Sequence, residues 1–403
     1  MLELIIIADD LTGAADTGVR FLGGGPVKLA ALGRPGRPAG DWGLAVDTAS
    51  RNAPAEKIPD LMQQAADLVR AGRPRIVYKK IDSCLRGQIG PELERLLLEL
   101  GRAGALVVPA YPALGRVTRH GLHYVGDCLV SESESARDPL RPVRDSRLAA
   151  VVGQDCGLAV RSLDLGLIRR GPDAVLLEIR AARGPGPTLW AADAESEVDL
   201  DILALAGLAE SDRLILSGSA GLAGALARRL RPGGAFRPAG ARTPAPPALF
   251  LAGSASAVLK EQIDCLAERA GARVFTLNLE TLMKSGPAAL PEPWPKAAGP
   301  EGPLVVKLPP GQAGLYGSRQ IIEAFGRLAA RLVTERRPRS LFISGGDTAR
   351  STLNALGIEE AWLRAEIEPG VALLEAGALD ILTKSGGFGD RELLSRLYQG
   401  KGL

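Results

Sequence analysis

The sequence predicts an α/β protein of two domains, each a mostly parallel sheet flanked by helices. Short apolar runs alternate with helical stretches along the chain, which is the signature of layered α/β architecture. The 403 residues suffice for two separate cores. One segment rich in Pro and Gly, RPGGAFRPAGARTPAPPA at 231–248, breaks the rhythm, which then restarts. These observations set the expected domains at 1–235 and 249–403, joined by a linker at 236–248.

Within the first domain, strands are expected in LELIIIA at the start, GLAVDT from Gly43, RIVYKKI from Arg75 and ALVVPA from Ala105. Between them, PAEKIPDLMQQAADLVRAG and PELERLLLELG carry helical periodicity, and each ends in Gly, as a helix C-cap does. Parallel strands joined by helices collect ligands at their carboxyl ends. Beyond the linker, ALFLAGSASAVLKEQIDCLAERAG resumes the alternation, and SGPAALPEPWPKAAGPEGP from Ser285 is expected to be a surface excursion.

Composition narrows the function classes. Hydrophobic residues make up 46% and charged residues 24%, an ordinary soluble globular balance. The formal net charge of +3 is small, and the basic residues are scattered, so no nucleic-acid footprint is present. Cys84, Cys128, Cys156 and Cys265 form no C-x-x-C pair, and His120 and His123 are the only histidines, which argues against a Cys/His metal cage. The start LELIIIADD runs straight into acids, unlike a signal peptide. No apolar run reaches the ~18 residues of a membrane span. A cytoplasmic protein without a membrane partner and with reduced cysteines is expected. Homo-oligomerisation is left open.

Four constellations carry chemistry. In IIIADDLTGAADTG, Asp9 and Asp10 end a strand, and Thr12 and Gly13 open a helix. Adjacent carboxylates there face partly different ways, so one can serve a ligand while the other anchors the loop; helix capping alone also accounts for them. In KKIDSCLRGQIG, Lys80, Asp82, Ser83 and Arg86 fall just after a strand. Arg holds a carboxylate bidentately, Ser bonds a hydroxyl and Asp accepts from hydroxyls, a set suited to a polyhydroxylated anion; a surface loop with internal ion pairs is the plainer alternative. The loop PAYPALGRVTRHGLHYVGD, with Gly115, Arg116 and Thr118, follows the ALVVPA strand, and ARDPLRPVRDS comes after it. His120 and His123 lack acidic neighbours and read as structural. The last group is glycine turns after strands: LAGSAS, SGGDTAR and KSGGFGD in the second domain, with SGSAGLAGALA before the linker. Glycine lets backbone approach phosphate closely, and free N–H groups at a helix start bind anions. None of these is a Walker A or G-x-G-x-x-G motif.

With these residues laid out, the chain resembles the four-carbon acid sugar kinase family nearly end to end. The matching blocks are ADDLTGA, KIDSCLRG, the PAYPALGR–T loop with DP and P–S after it, GSAGLA, GSAS, GGDTA and KSGGFG. The resemblance implies ATP-dependent phosphorylation of a terminal hydroxyl on a sugar acid such as threonate, erythronate or 3-oxo-tetronate. It implies that the N-terminal domain holds the acid and the C-terminal domain the nucleotide. By position it places Ser254, Gly345, Gly346, Asp347, Thr348 and Gly387 near ATP, and Asp10, Arg51, Lys80, Asp82, Ser83 and Arg86 near the acid, with Asp9, Thr12 and Arg116 as further candidates in the same loops. Cys84 stands where the family's DSTLRG pattern has Thr, which implies different contacts to the substrate's hydroxyls there.

On this reading Mg²⁺ bridges the nucleotide's phosphates, with no ligand assigned by the sequence. Asp10 is the expected general base, with Asp82 the alternative. Lys80 and Arg86 would fix the acid or steady the transferring group. A sugar-acid isomerase or aldolase, and a non-catalytic sugar-acid sensor, are the rival readings. ATP turnover separates them.

Overall fold

Apolar residues run five deep through LIIIA at Leu4–Ala8, four of them branched, and a strand whose every residue is buried needs cover on both faces. In this computed structural model, residues 2–33, 42–138, 140–181, 186–230, 244–285, 302–309 and 317–402 are described. The chain divides into two units, Met1–Phe236 and Arg237–Leu403. Of the Pro/Gly-rich segment at 231–248, residues 231–243 lie outside the described residues, as do residues 286–301 of the expected surface excursion.

The strands of the first unit are β1 (Leu4–Ala8), β2 (Val27–Ala31), β3 (Gly43–Asp47), β4 (Ile76–Lys80), β5 (Gly104–Val108), β6 (Arg116–Arg119), β7 (Leu122–Val125), β8 (Cys128–Leu129), β9 (Ala159–Leu163), β10 (Thr188–Ala192) and β11 (Leu214–Gly218). Its helices are α1 (Leu11–Arg20), α2 (Ile58–Gly72), α3 (Ile89–Leu100), α4 (Leu148–Gly153), α5 (Leu165–Ile168), α6 (Pro172–Ala181), α7 (Glu197–Ala209) and α8 (Ala220–Leu230). The order β2-β3-β1-β4-β11-β5-β10-β9 is parallel throughout. A small antiparallel sheet, β6-β7-β8, stands apart from it.

Periodicity explains the cover. Ile58, Met62, Ala65, Ala66 and Val69 of α2 recur at three- and four-residue spacing and are all buried. They join Leu93, Leu96 and Leu97 of α3 against Ile5, Ile7, Leu44, Val46 and Val77 of the sheet. Burying a side chain such as Met62 stabilises by about 2 kcal/mol, so Met62→Ala would open this core. The expected glycine caps divide: Gly101 caps α3 in the left-handed region at φ 61°, whereas Arg73, not Gly72, takes that conformation after α2. Gly72 is the last helical residue, where an added Cβ would lie 3.2 Å from Ile5 Cδ1, so its smallness serves packing.

The second unit contains β12 (Leu249–Ala252), β13 (Arg273–Thr276), β14 (Leu304–Lys307), β15 (Ser340–Ser344), β16 (Glu360–Glu368), β17 (Val371–Ala376) and β18 (Leu379–Lys384), with α9 (Ala257–Ala270), α10 (Leu279–Ser285), α11 (Ser318–Arg336), α12 (Gly346–Ala355) and α13 (Leu393–Tyr398). Strands β13-β14-β12-β15-β18 run parallel; β17 and β16 follow as antiparallel partners. Helices α9 and α13 pack together, as do α11 and α12. Phe250, Phe342, Leu382, Leu259, Leu266 and Leu397 belong to its core.

Candidate functional site

Strand order locates the first site. From β1 the chain leaves through α1 toward β2 and β3, and from β4 it leaves through α3 toward β5. The connections part between β1 and β4, whose ends pair as Ala8 with Lys80. Such a switch point opens a crevice beyond the carboxyl ends of the two strands. The loops Asp9–Asp10 and Ile81–Arg86 both begin there.

Asp10 is the N-cap of α1: its Oδ1 accepts from Gly13 N–H at 2.9 Å and its Oδ2 from the Thr12 hydroxyl at 2.7 Å. Arg51, just after β3, donates its Nε and Nη2 to the two oxygens of Asp9 at 2.7 and 2.9 Å. It also bonds Asp10, with Nη2 at 3.0 Å from Oδ1 and Nη1 at 2.9 Å from Oδ2. Arg51 is held in place by its own N–H on the Asp9 carbonyl at 3.2 Å. Arg86 makes a two-pronged pair with Asp82, Nε to Oδ2 at 2.7 Å and Nη2 to Oδ1 at 3.1 Å, and reaches Asp138 at 3.5 Å. Arg51 lies 4.0 Å from Asp82, so Asp9, Asp10, Arg51, Asp82 and Arg86 form one buried or half-buried ionic network.

Two members are less committed. Lys80, 4% exposed, spends one ammonium proton on the Ile81 carbonyl at 2.9 Å. An added Cβ at Gly13 would lie 2.6 Å from Asp10 Oδ1 and 3.1 Å from Lys80 Nζ, so carboxylate and ammonium flank the same glycine. The Ser83 hydroxyl makes no hydrogen bond among the described residues. Burial alone would raise the carboxyls of Asp10 and Asp82. Arg51 and Lys80 beside Asp10, and Arg86 and Arg51 beside Asp82, outweigh burial and hold both below the ordinary carboxylate range.

The loop between them is shaped by packing. Leu85 sits in the left-handed region at φ 63°, unusual for a leucine, and is buried in the core below the site. Cys84 also packs against that core. Gly87, at φ 106°, passes so close that an added Cβ would lie 3.2 Å from Asp9 Oδ2.

Arg116 falls outside the ionic network. Its Nη1 donates to the Leu114 carbonyl at 2.6 Å, and its charge bears on Asp16 and His123. Asp16 went unselected in the sequence, although it is the one acid within a helix of small residues buried from Leu11 to Val19. Burial pushes its carboxyl up, against the pull of Lys80, Arg20 and Arg116. His123 is fully buried between Thr118 and Ser83, and His120 takes a left-handed turn at φ 51°.

In the second unit the turns after β12, β15 and β18 lie side by side, because Ala252 pairs with Ser344 and Ser344 with Lys384. A Cβ on Gly253 would overlap Thr348 Oγ1, and one on Gly386 would overlap Ser254 Oγ, so the three glycine turns touch. Gly345 has φ 105°, a conformation closed to most side chains. Asp347, exposed in the first turn of α12, directly follows Gly346, and Asp390 directly follows Gly389. The Oγ atoms of Ser256 and Ser344 are buried without a hydrogen-bond partner among the described residues. No group of three His, Cys, Asp or Glu among the described residues is arranged to hold a metal ion.

Residues 4–226 match the family model described as a sugar-binding N-terminal domain, and residues 304–394 match a nucleotide-binding C-terminal domain. The chain is 31% identical to a D-threonate kinase of Salmonella typhimurium over 98% of both chains. It is 32% identical to a 3-oxo-tetronate kinase of Pseudomonas fluorescens, over 97% of this chain and 95% of that one. A crystal structure from Salmonella typhimurium, described as a putative tRNA synthase, shares the fold at TM-score 0.80 and 24% identity over 98% of both chains. Another, a domain of unknown function from Bordetella bronchiseptica described as a domain-swapped dimer with bound citrate, aligns at TM-score 0.50 and 31% identity, covering 99% of this chain and 98% of that one. With both domain matches in order and full-length relatives of this identity, the chain belongs to the four-carbon acid sugar kinase family.

Proposed function

We propose that this protein is a phosphotransferase that uses ATP to phosphorylate the terminal hydroxyl of a four-carbon sugar acid such as threonate, erythronate or 3-oxo-tetronate. The observation that carries the reading is the meeting of three glycine turns at the ends of adjacent parallel strands in the second unit, where the N–H groups of Gly386 and Gly387 donate to no acceptor among the described residues and can meet a phosphate. The kinase relatives support it over the isomerase and sensor readings. The crevice of the first unit, where Lys80, Arg51 and Arg86 lie among Asp9, Asp10 and Asp82, offers a place for a small hydroxy acid.

In that crevice Arg51 and Arg86 already hold Asp9, Asp10 and Asp82, and their task is to fix those carboxylates. Lys80, with ammonium protons to spare, and the Ser83 hydroxyl are the groups free to meet the acid and its hydroxyls. Asp10 is the proposed acceptor of the attacking hydroxyl's proton. Held below the usual range, it is a weak base, but phosphoryl transfer depends chiefly on positioning and charge stabilisation. Ser254, Gly345, Gly346, Thr348 and Gly387 would line the phosphates. Mg²⁺ usually takes one or two carboxylates and otherwise phosphate and water oxygens, and Asp347, in the first turn of α12, would be one such carboxylate. Bound there, the metal nucleotide supplies an electrophilic phosphoryl group. The test is ADP release from ATP against a panel of three- to six-carbon sugar acids with Mg²⁺. Acid-dependent turnover, strongest with a four-carbon acid, is expected, and no turnover with any acid in folded protein overturns the reading.

A further inference from the structure

Lys384 ends β18 and is 1% exposed, among the largest fully buried side chains of the protein. Buried ammonium groups are ordinarily paired with a carboxylate. This one is not: among the described residues its Nζ meets only the carbonyls of Ser385 at 3.1 Å and Gly386 at 2.9 Å. Its main-chain carbonyl accepts from Gly345 N–H at 3.0 Å, so the same residue grips the turn after β15. Gly386 in turn packs on Ser254 of the turn after β12. Lys384 therefore touches or adjoins all three glycine turns.

The geometry of the peptide unit gives that grip a consequence. In a trans peptide the C=O and the following N–H point in opposite directions. Carbonyls 385 and 386 drawn in toward Nζ turn the N–H groups of Gly386 and Gly387 away from it. Those two N–H groups donate to no acceptor among the described residues, and consecutive free N–H groups form an anion-binding concavity. Burial brings the Lys384 amine down to about 7, and a nearby polyanion would favour its charged form.

Resting on the nucleotide reading above, we propose that Lys384 is the positioning residue of the phosphate site: it ties the carbonyls of Ser385 and Gly386 inward, aims the N–H groups of Gly386 and Gly387 at a polyphosphate chain, and supplies the charge that chain neutralises. The ligand class is thus a nucleoside triphosphate or diphosphate recognised first through its phosphates.

The experiment compares the unmodified protein with Lys384→Met, which keeps the length and loses the donors, using calorimetry with ATP, inorganic tripolyphosphate and adenosine. Affinity for ATP and tripolyphosphate should fall on the order of 10–100-fold, the scale of lost hydrogen bonds to charged groups, while any adenosine binding stays unchanged. Equal binding of tripolyphosphate by both proteins overturns the proposal, as does a parallel loss for adenosine. Absence of ATP and tripolyphosphate binding in the unmodified protein would instead remove the nucleotide reading beneath it. Should Lys384→Met fail to fold, the amide signals of Gly386 and Gly387 in the unmodified protein decide: they should shift on adding tripolyphosphate, and unmoved signals overturn the proposal.

Discussion

His123 Nε2 donates to the Ser83 carbonyl at 2.8 Å, tying β7 of the small antiparallel sheet to the loop that carries Asp82 and Arg86. A carbonyl can only accept, so the proton is on Nε2, and Nδ1 accepts from the Thr118 hydroxyl at 2.9 Å. Burial, aided by the charge of Arg116, brings the imidazole from 6.5 down to about 4.

The folded state therefore disfavours protonated His123, and its stabilising contribution is complete above the unfolded value and lost as pH falls from about 6.5 to about 4. That window corresponds to about 3 kcal/mol. Denaturant titrations of His123→Gln should show a shallower loss of stability across it than the parent. Parallel profiles would mean that the imidazole titrates alike in both states.

Lys80→Met should cost roughly 2–5 kcal/mol in kcat/KM for the acid, the scale of losing one partner of a buried charge contact. The contrast with Arg86→Ala is informative. Arg86 is spent on Asp82, so its removal should first lower Tm by stranding that carboxylate. If Lys80→Met retains the parental kcat/KM, the ammonium has no part in the acid site.

Asp10→Asn should lower kcat ~10²–10⁴-fold and leave acid affinity nearly unchanged, because Asn remains a good helix N-cap while losing the proton acceptor. A drop below tenfold, with a large drop for Asp82→Asn, would transfer the role to Asp82.

Gly253→Val places a branched side chain where even a Cβ overlaps Thr348 Oγ1. ATP binding should disappear in calorimetry while binding of the acid persists. Retained ATP binding would leave the glycine turns as ordinary strand–helix connections.

The alternation of buried strands with amphipathic helices was legible because each apolar run matches one strand; LIIIA and GLAVD fall where the sequence puts them. Motif-bearing loops were legible for the same reason, since they follow those runs. What linear reasoning could not supply was which ions pair. Arg51 and Asp9 stand 42 positions apart and meet only because β3 lies beside β1. Asp16 and Lys384 lay inside the quoted motifs, but their distinction is burial without full pairing, which no spacing rule encodes.

The left-handed Leu85 sets the temperament of the acid loop. An unfavourable backbone conformation on a leucine persists when its surroundings over-determine it, and here the anchor is a hydrophobic side chain sunk in the core. The loop thus takes its form from folding. On the proposed reading, an incoming acid would meet main chain already set by the core, and little of its binding energy would go into immobilising it. Calorimetric entropies should accordingly differ little between short and long acids, and selectivity should track the fit of each hydroxyl.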